Sequence, residues 1–223
     1  MSKSGLFKSS IGRKFAMALS ALFLMIFLLQ HLFINLTAVF SADVFNELSH
    51  FMGTNPLVQF VAQPILIFAV VFHFVMGMYL EFKNRAARPI AYNKVNGAAN
   101  SSWMSRNMAI SGLVILAFLV LHFIDFWFPE ISYKFVEMGP EDPNRYYVHL
   151  LSKFSNPARV IAYIVAFGLL ALHLLHGFGS AFQSMGQNNK YIDSLKKFGV
   201  FYSIAVPLGF ILIAISLYVT TLN

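Results

Sequence analysis

Five long apolar stretches, separated by polar segments, organise the chain. They lie near 15–40, 57–82, 107–128, 157–182 and 198–221. About 20 consecutive apolar residues in a helix cross the hydrocarbon core of a bilayer, and each stretch reaches that length. Pro56 and Pro157 stand where the second and fourth stretches begin, and proline is tolerated in the first turn of a helix. The pattern predicts an all-α integral membrane protein, a single transmembrane bundle of five helices over residues 1–223.

Composition supports lipid as the main surroundings of this bundle. The chain is 58% hydrophobic and only 11% charged, with a mean hydropathy of +0.67. A soluble domain needs more polar surface than that. The absence of cysteine excludes disulfides, thiolate metal sites, iron–sulfur ligation and thioether-linked haem.

The net charge of +7 is distributed between the apolar stretches rather than gathered in one patch, which favours topology signals and disfavours nucleic-acid binding. Four basic residues precede the first stretch, five lie in 83–106 and three in 183–197. The 41–56 segment has none, and the 129–156 region with the next helix start has four. The positive-inside rule therefore predicts a cytoplasmic N-terminus and an outside C-terminus. The run from Phe15 to Phe40 is too long for a cleaved signal peptide, so we expect it to remain as the first span.

Five of the seven histidines lie within the spans, where ionisable groups are costly and usually functional. His31, His73 and His173 each lie 16 residues past the start of their spans, and His122 lies 15 past the start of the third. Each is therefore about 24 Å along its helix. Because successive helices run in opposite directions, His31 and His122 are predicted near the outer face and His73 and His173 near the cytoplasmic face. His50 and His149 fall in outer segments and receive no role.

Short repeats support the same pairing. The first and third spans share Ser-[Ala/Gly]-x9-His, and the second and fourth share Ala-x10-His-x3-Gly; the residues are Ser20, Ala21 and His31, Ser111, Gly112 and His122, Ala62, His73 and Gly77, and Ala162, His173 and Gly177. Small residues at these positions leave room for a flat macrocycle between helices. They also serve helix packing, with histidine making interhelical hydrogen bonds.

Three interpretations of the histidines compete. Packing explains one histidine better than four at matched offsets. Zinc needs more ligands than two imidazoles for each level. Two b haems need two imidazoles each, and filling both axial positions suits electron transfer. His176 is the alternative to His173 in the fourth span; its other role would be a hydrogen bond to a haem propionate or to the next helix.

The chain resembles a known family over about residues 10–220. The motifs are Gln30-His31-Leu32 with Asn35, Ser-Gly-x9-His in the third span, and His173-x3-Gly-x2-Ser180. They are similar to the single-chain, di-haem, five-helix cytochrome b anchor of bacterial succinate dehydrogenases and fumarate reductases. Arg88-Pro-x2-Tyr92 through Ser105-Arg106-x-Met108 resembles the version in the Bacteroides and Flavobacterium group.

The resemblance implies axial ligands His31 and His122 for the distal haem, and His73 and His173 for the proximal haem. It also implies a bacterial cytoplasmic membrane, with a flavoprotein and an iron–sulfur subunit docked on the cytoplasmic face, where the basic 83–106 and 183–197 segments would lie. Electrons would pass between succinate or fumarate and a quinone, usually menaquinone, through the two haems.

The quinone site has no short motif in this sequence. Polar residues near the outer haem are candidates, since a carboxylate at the membrane edge can supply a hydrogen bond and a proton route; they are Gln30, Asn46, Glu47 and Asp125. For Glu47 and Asp125, an ordinary helix-end charge is an equally good interpretation.

Two other functions remain as alternatives. One is the cytochrome b anchor of a hydrogenase or formate dehydrogenase, which the distribution of one ligand per helix disfavours. The other is a haem-free transporter that uses histidine for proton or metal coupling.

Overall fold

A computed structural model describes residues 9–86, 106–186 and 192–223, and over these ranges the protein is helical with no strand. The helices are α1 Ser10–Phe40, α2 Ala42–Thr54, α3 Val58–Ala86, α4 Met108–Val136, α5 Arg145–Phe154, α6 Pro157–Ser184 and α7 Ile192–Thr220. Five of them (α1, α3, α4, α6 and α7) are long and apolar enough to cross a membrane. The predicted all-α, five-span membrane bundle is confirmed.

The helices extend beyond the apolar stretches. Helix α1 begins at Ser10 rather than near 15, and α7 begins at Ile192 rather than near 198. Helix α4 runs on to Val136 instead of ending near 128, with π-helical turns at Phe123–Trp127 and Ser132–Val136. Hydrophobicity marks only the part of a helix that suits lipid, whereas capping and packing decide where the helix ends.

Side chains that satisfy free backbone N–H groups start the helices. Ser9 accepts from the backbone N–H of Gly12 at 2.9 Å at the start of α1. Asn156 accepts from the backbone N–H of Arg159 at 3.2 Å, and Pro157 occupies the first turn of α6. These are the preferred residue types for an N-cap and a first helical position.

The core of the bundle lies around α6, which packs against α1, α4 and α7. Phe167 of α6 stacks on Phe210 of α7 with ring centroids 5.2 Å apart. The Tyr202 hydroxyl of α7 donates to the backbone carbonyl of Met25 in α1 at 2.5 Å. Helix α3 packs mainly on α1, as α4 does on α6.

Large apolar side chains cover the outward faces of the spans. Ile26 is 71% exposed, Phe60 and Phe201 are each 68% exposed, and Phe68 is 69% exposed. In water such a surface would drive association, whereas lipid solvates it without cost. The chain is therefore a multi-pass membrane protein.

Two short helices, α2 and α5, cover one end of the bundle, which we call the outer end; the end at which α1 begins is the inner end. Both segments were predicted as connections. The Asn46 side chain of α2 accepts from the backbone N–H of Tyr147 in α5 at 2.8 Å. Glu130 pairs with Lys134 at 2.5 Å and with Arg145 at 2.6 Å. Burial and the neighbouring Glu130 carboxylate raise the pKa of the Tyr146 phenol to about 12.

Several basic residues that the sequence analysis predicts on the cytoplasmic side lie outside the described residues. The five basic residues are Lys3, Lys8, Arg88, Lys94 and Lys190. Most of the Bacteroides-like segment, Arg88-Pro-x2-Tyr92 through Ser105, lies outside the described residues as well. Within the described part, Lys83 and Arg85 end α3, and Lys196 and Lys197 lie in the first turns of α7. These four residues lie at the inner end, whereas Lys134 and Arg145 pair with Glu130 at the outer end.

Candidate functional site

Four histidines of four different spans meet in two pairs. His31 of α1 and His122 of α4 have ring centroids 5.8 Å apart and nearly perpendicular planes. His73 of α3 and His173 of α6 have ring centroids 6.4 Å apart. The structure thus brings these residues together in the pairs that span direction and repeats predict. We call them the outer pair and the inner pair.

The two pairs lie at different depths in the bundle, because α1 and α4 each contact both pairs at separate points along their length. Ser20 of α1 contacts His73 of the inner pair, while His31 of the same helix belongs to the outer pair. Ser111 and His122 of α4 repeat this arrangement. Eleven residues of α-helix separate serine from histidine in both, so the levels lie about 16 Å apart along the bundle.

The repeat serines contact the histidines of neighbouring helices. Ser20 Oγ lies 3.2 Å from His73 Nδ1, and Ser111 Oγ lies 3.1 Å from His173 Nδ1. The sequence pattern associated each serine with the histidine of its own helix. Each serine shares a helix face with the histidine of its own helix but lies three turns away from it. Each serine therefore contacts a histidine of the inner pair.

The repeat glycines mark close helix contacts. A Cβ added at Gly77 would lie 3.3 Å from Met17 Cε, and one added at Gly177 would lie 3.5 Å from Met108 Cε. Both glycines therefore face a methionine of the adjacent span, which is the packing role of small residues. Methionine is flexible, so these side chains can adapt to a neighbour of another shape.

The remaining histidines have other partners. His176 Nε2 lies 3.2 Å from Ser180 Oγ on the same helix. His149 Nε2 lies 2.8 Å from the backbone carbonyl of Asp125, and His50 lies 3.1 Å from Glu141 at the outer end. The inner pair thus contains His173, whereas His176 hydrogen-bonds within α6.

Aromatic rings surround the outer pair. Phe27 stacks on His31 at 5.5 Å, and Phe126 lies 5.2 Å from His122, centroid to centroid. Phe210 lies 5.7 Å from His31. This setting is apolar, and it leaves His122 Nδ1 buried with no hydrogen-bond partner among the described residues.

The spacing within both pairs fits a metal ion held from two opposite sides. An imidazole nitrogen ligates a metal at about 2 Å and lies about 1 Å from its ring centre, so opposite ligands have centroids about 6 Å apart. Tetrahedral zinc ligands would have centroids about 5 Å apart. The observed 5.8 and 6.4 Å lie on either side of the value for opposite ligands. The residues present therefore fit the axial positions of haem iron.

The quinone candidates occupy different surroundings at the outer end. Gln30 and Glu47 are exposed, and the Gln30 amide contacts Met52 Sδ at 3.8 Å. Asn46 is buried, and its side-chain oxygen already accepts a hydrogen bond from the backbone of α5. Asp125 is 1% exposed. Among the described residues, no hydrogen bond or ion pair joins two of these four.

Asp125 belongs to a buried network that the sequence did not indicate. Its Oδ2 accepts from the Tyr163 hydroxyl at 2.9 Å, and its Oδ1 lies 3.2 Å from Arg159 Nη1. Both partners belong to α6, so the network joins α4 to α6 beside the outer pair. The only sequence signal was a charged residue at the end of an apolar run, the same signal that exposed helix ends give.

A cleft at the inner end lies between α1 and α6. Its volume is about 410 Å³, and its lining residues are Ile11, Lys14, Ser180, Gln183 and Ser184. One cationic and three uncharged polar side chains make it suitable for an acidic group.

Sequence comparison relates this arrangement to a known protein. Over 157 residues the chain is 29% identical to the succinate dehydrogenase cytochrome b558 subunit of Bacillus subtilis (strain 168), an alignment that covers 70% of this chain and 69% of the relative. The chain is thus similar to a succinate dehydrogenase cytochrome b subunit over 70% of its length. The family resemblance stated from the motifs is confirmed, while the likeness to the Bacteroides and Flavobacterium group stays a prediction. No protein-family model matches the chain, and no solved structure matches it.

Proposed function

We propose that this chain is the membrane anchor and electron-transfer subunit of a succinate:quinone oxidoreductase, and that it holds two b haems. The observation that carries the proposal is the pair of facing imidazoles at each of two depths, at 5.8 and 6.4 Å between ring centroids. The similarity to a succinate dehydrogenase cytochrome b subunit supports the assignment to this kind of complex.

The four histidines would supply the axial ligands. His31 and His122 would hold the outer haem, and His73 and His173 the inner one. A low-spin b haem with both axial positions filled supplies one-electron transfer rather than oxygen binding. The aromatic rings give the outer pair apolar surroundings. Lys14, Ser180 and Ser184 would offer a cation and hydroxyls to the acidic groups of the inner haem.

A flavoprotein and an iron–sulfur subunit would dock on the inner end of the bundle. Basic residues end α3 and begin α7 there, as expected of a cytoplasmic face. This orientation places the N-terminus in the cytoplasm of a bacterium and the C-terminus outside. The inner pair then lies nearer to the docked subunits and the outer pair nearer to the opposite face.

A quinone would react at the outer end, with menaquinone as the type that the family resemblance implies. Glu47 and Gln30 are the candidates with free access, because both are exposed. Asp125 and Asn46 already bond to protein groups, so their first role is structural. In this arrangement the two substrates react at opposite ends of the bundle.

Purification of the native assembly tests this function. The chain, tagged at its C-terminus and solubilised in mild detergent, should bring down one flavoprotein and one iron–sulfur protein and catalyse electron transfer between succinate and a quinone. Hydrogenase or formate dehydrogenase subunits in the same preparation would replace the proposal with another respiratory complex. A haem-free, partner-free protein would favour the transporter.

A further inference from the structure

The same four-residue contact occurs twice at the inner level. On α1, Ser20 contacts His73 and Met17 contacts Gly77. On α4, Ser111 contacts His173 and Met108 contacts Gly177. Each contact joins one helix pair, α1–α3 or α4–α6, and the spacing within Met-x2-Ser and His-x3-Gly is identical in both. Two independent parts of the chain therefore arrive at one geometry around an imidazole.

The hydrogen bonds fix the direction of each serine–histidine contact. A hydroxyl has one hydrogen to donate. Ser20 Oγ donates it to the backbone carbonyl of Met17 at 2.8 Å, and Ser111 Oγ donates to that of Met108 at 2.9 Å. Towards the imidazole, each oxygen can then only accept. With the hydroxyl hydrogen on the carbonyl, the neighbouring nitrogen is Nδ1–H and the lone pair is on Nε2.

The outer pair lacks this arrangement. The Asn35 amide nitrogen donates to the backbone carbonyl of His31 at 2.8 Å and lies 3.4 Å from both ring nitrogens. That donation shows that the amide nitrogen, not the oxygen, faces the ring. His122 Nδ1 is buried without a partner among the described residues. Neither outer imidazole is therefore held by a hydroxyl acceptor.

We propose that Ser20 and Ser111 are positioning residues for the inner haem, each accepting from the Nδ1–H of one axial histidine so that its Nε2 is presented to the iron. The inference rests on the proposed function. An acceptor at Nδ1 fixes the tautomer and makes the imidazole a stronger donor to the metal. A stronger donor stabilises ferric over ferrous iron, so the two serines lower the midpoint potential of the inner haem alone.

A simpler explanation is that each serine hydroxyl only makes a hydrogen bond to the backbone of its own helix. A serine in a membrane helix commonly bonds back to a carbonyl one turn earlier. Ser203 of α7 does this, since its hydroxyl donates to the Gly199 carbonyl at 2.7 Å, and among the described residues no histidine hydrogen-bonds to it. It is fully buried and therefore provides a matched control.

Redox titration of the haem absorption in the assembled complex tests the proposal. Ser20→Ala and Ser111→Ala should each move the same one of the two haem components to higher potential. We expect a shift of up to about tenfold in the ferric-to-ferrous equilibrium, where tenfold corresponds to about 59 mV for one electron. The double variant should move it further, and Ser203→Ala should move neither component. Ser20→Thr, which keeps a hydroxyl, should restore most of the original potential.

Three results would overturn the proposal: no shift, shifts of different components by the two serine variants, or an equal shift from Ser203→Ala. If an alanine variant loses the inner haem, Ser20→Cys and Ser111→Cys replace it. The thiol is a weak acceptor, so the same positive shift is expected and its absence is decisive. Ferric low-spin signals in electron paramagnetic resonance should change for one haem only. Failure of the proposed function is distinguishable. Wild-type protein without haem would contain no inner haem to titrate, and a cytochrome b of another respiratory complex would be identified by its co-purifying subunits.

Discussion

The imidazole rings of His31 and His122 lie nearly perpendicular to each other with their centroids 5.8 Å apart, although the residues belong to helices far apart in the sequence. Only the fold brings them together. If each pair holds one iron, the loss of either member has the same consequence.

Replacement of a single histidine should therefore remove one haem and leave the other. His31→Ala and His122→Ala should delete the same component, and His73→Ala and His173→Ala the other. Pyridine haemochrome assay and electron paramagnetic resonance of purified variants measure this. His176→Ala is the matched control, because His176 bonds to Ser180 on its own helix, and both haems should remain. A lost haem in that control with His173 dispensable would reverse the assignment within α6.

We expect Asp125 to contribute to the stability of the folded protein rather than to the reaction with quinone. Asp125→Ala leaves the Tyr163 hydroxyl and the Arg159 guanidinium without their shared partner. A buried group that loses its partner costs about 1–3 kcal/mol, which lowers the melting temperature by about 2–12 °C in a chain of this size. Thermal unfolding in detergent, followed by loss of monodisperse protein, gives the measurement. Asp193→Ala removes a carboxylate that is 84% exposed and should change the melting temperature little; equal effects would contradict the structural role.

Glu47→Gln should slow quinone turnover while leaving both haem spectra intact. Glu47 is exposed on α2 at the outer end, where a carboxylate can exchange protons with a quinone. Steady-state rates with a soluble menaquinone analogue measure the effect, and Asp43→Asn, a second carboxylate change on the same helix, is the control. An unaffected Glu47→Gln enzyme would make this residue an ordinary helix-end charge.

The depth of the two pairs predicts a response to membrane potential. The levels lie about 16 Å apart in a core about 30 Å thick, so an electron moving between them crosses about half of it. A full crossing is worth about 2.3 kcal/mol per charge for 100 mV. Succinate-to-quinone activity should change on uncoupling in sealed, energised vesicles but not in detergent. A rate that ignores the uncoupler would place the quinone site at the inner end.

Much of this arrangement can be predicted from the sequence, for physical reasons. The low polarity of the bilayer imposes long apolar helices, so the five spans are visible as composition alone. Alternating helix direction then converts four similar offsets into two depths. The pairing of His31 with His122 and of His73 with His173 follows from these two facts.

Contacts between helices at the inner level could not be predicted in the same way. Ser20 belongs to the same sequence motif as His31, yet its side chain contacts His73. The rotation of each helix and the lateral order of the helices cannot be deduced from a single sequence. The network of Asp125 with Tyr163 and Arg159 was missed for the same reason. Helices α2 and α5 were missed because their polar composition is also that of a connecting segment.

The most direct test of the central claim is the haem content of the purified, assembled protein, determined together with its low-temperature electron paramagnetic resonance spectrum. We expect two b haems per chain, both low-spin with two histidine ligands. One haem per chain, a high-spin signal from an open axial position, or a folded complex without haem would contradict it.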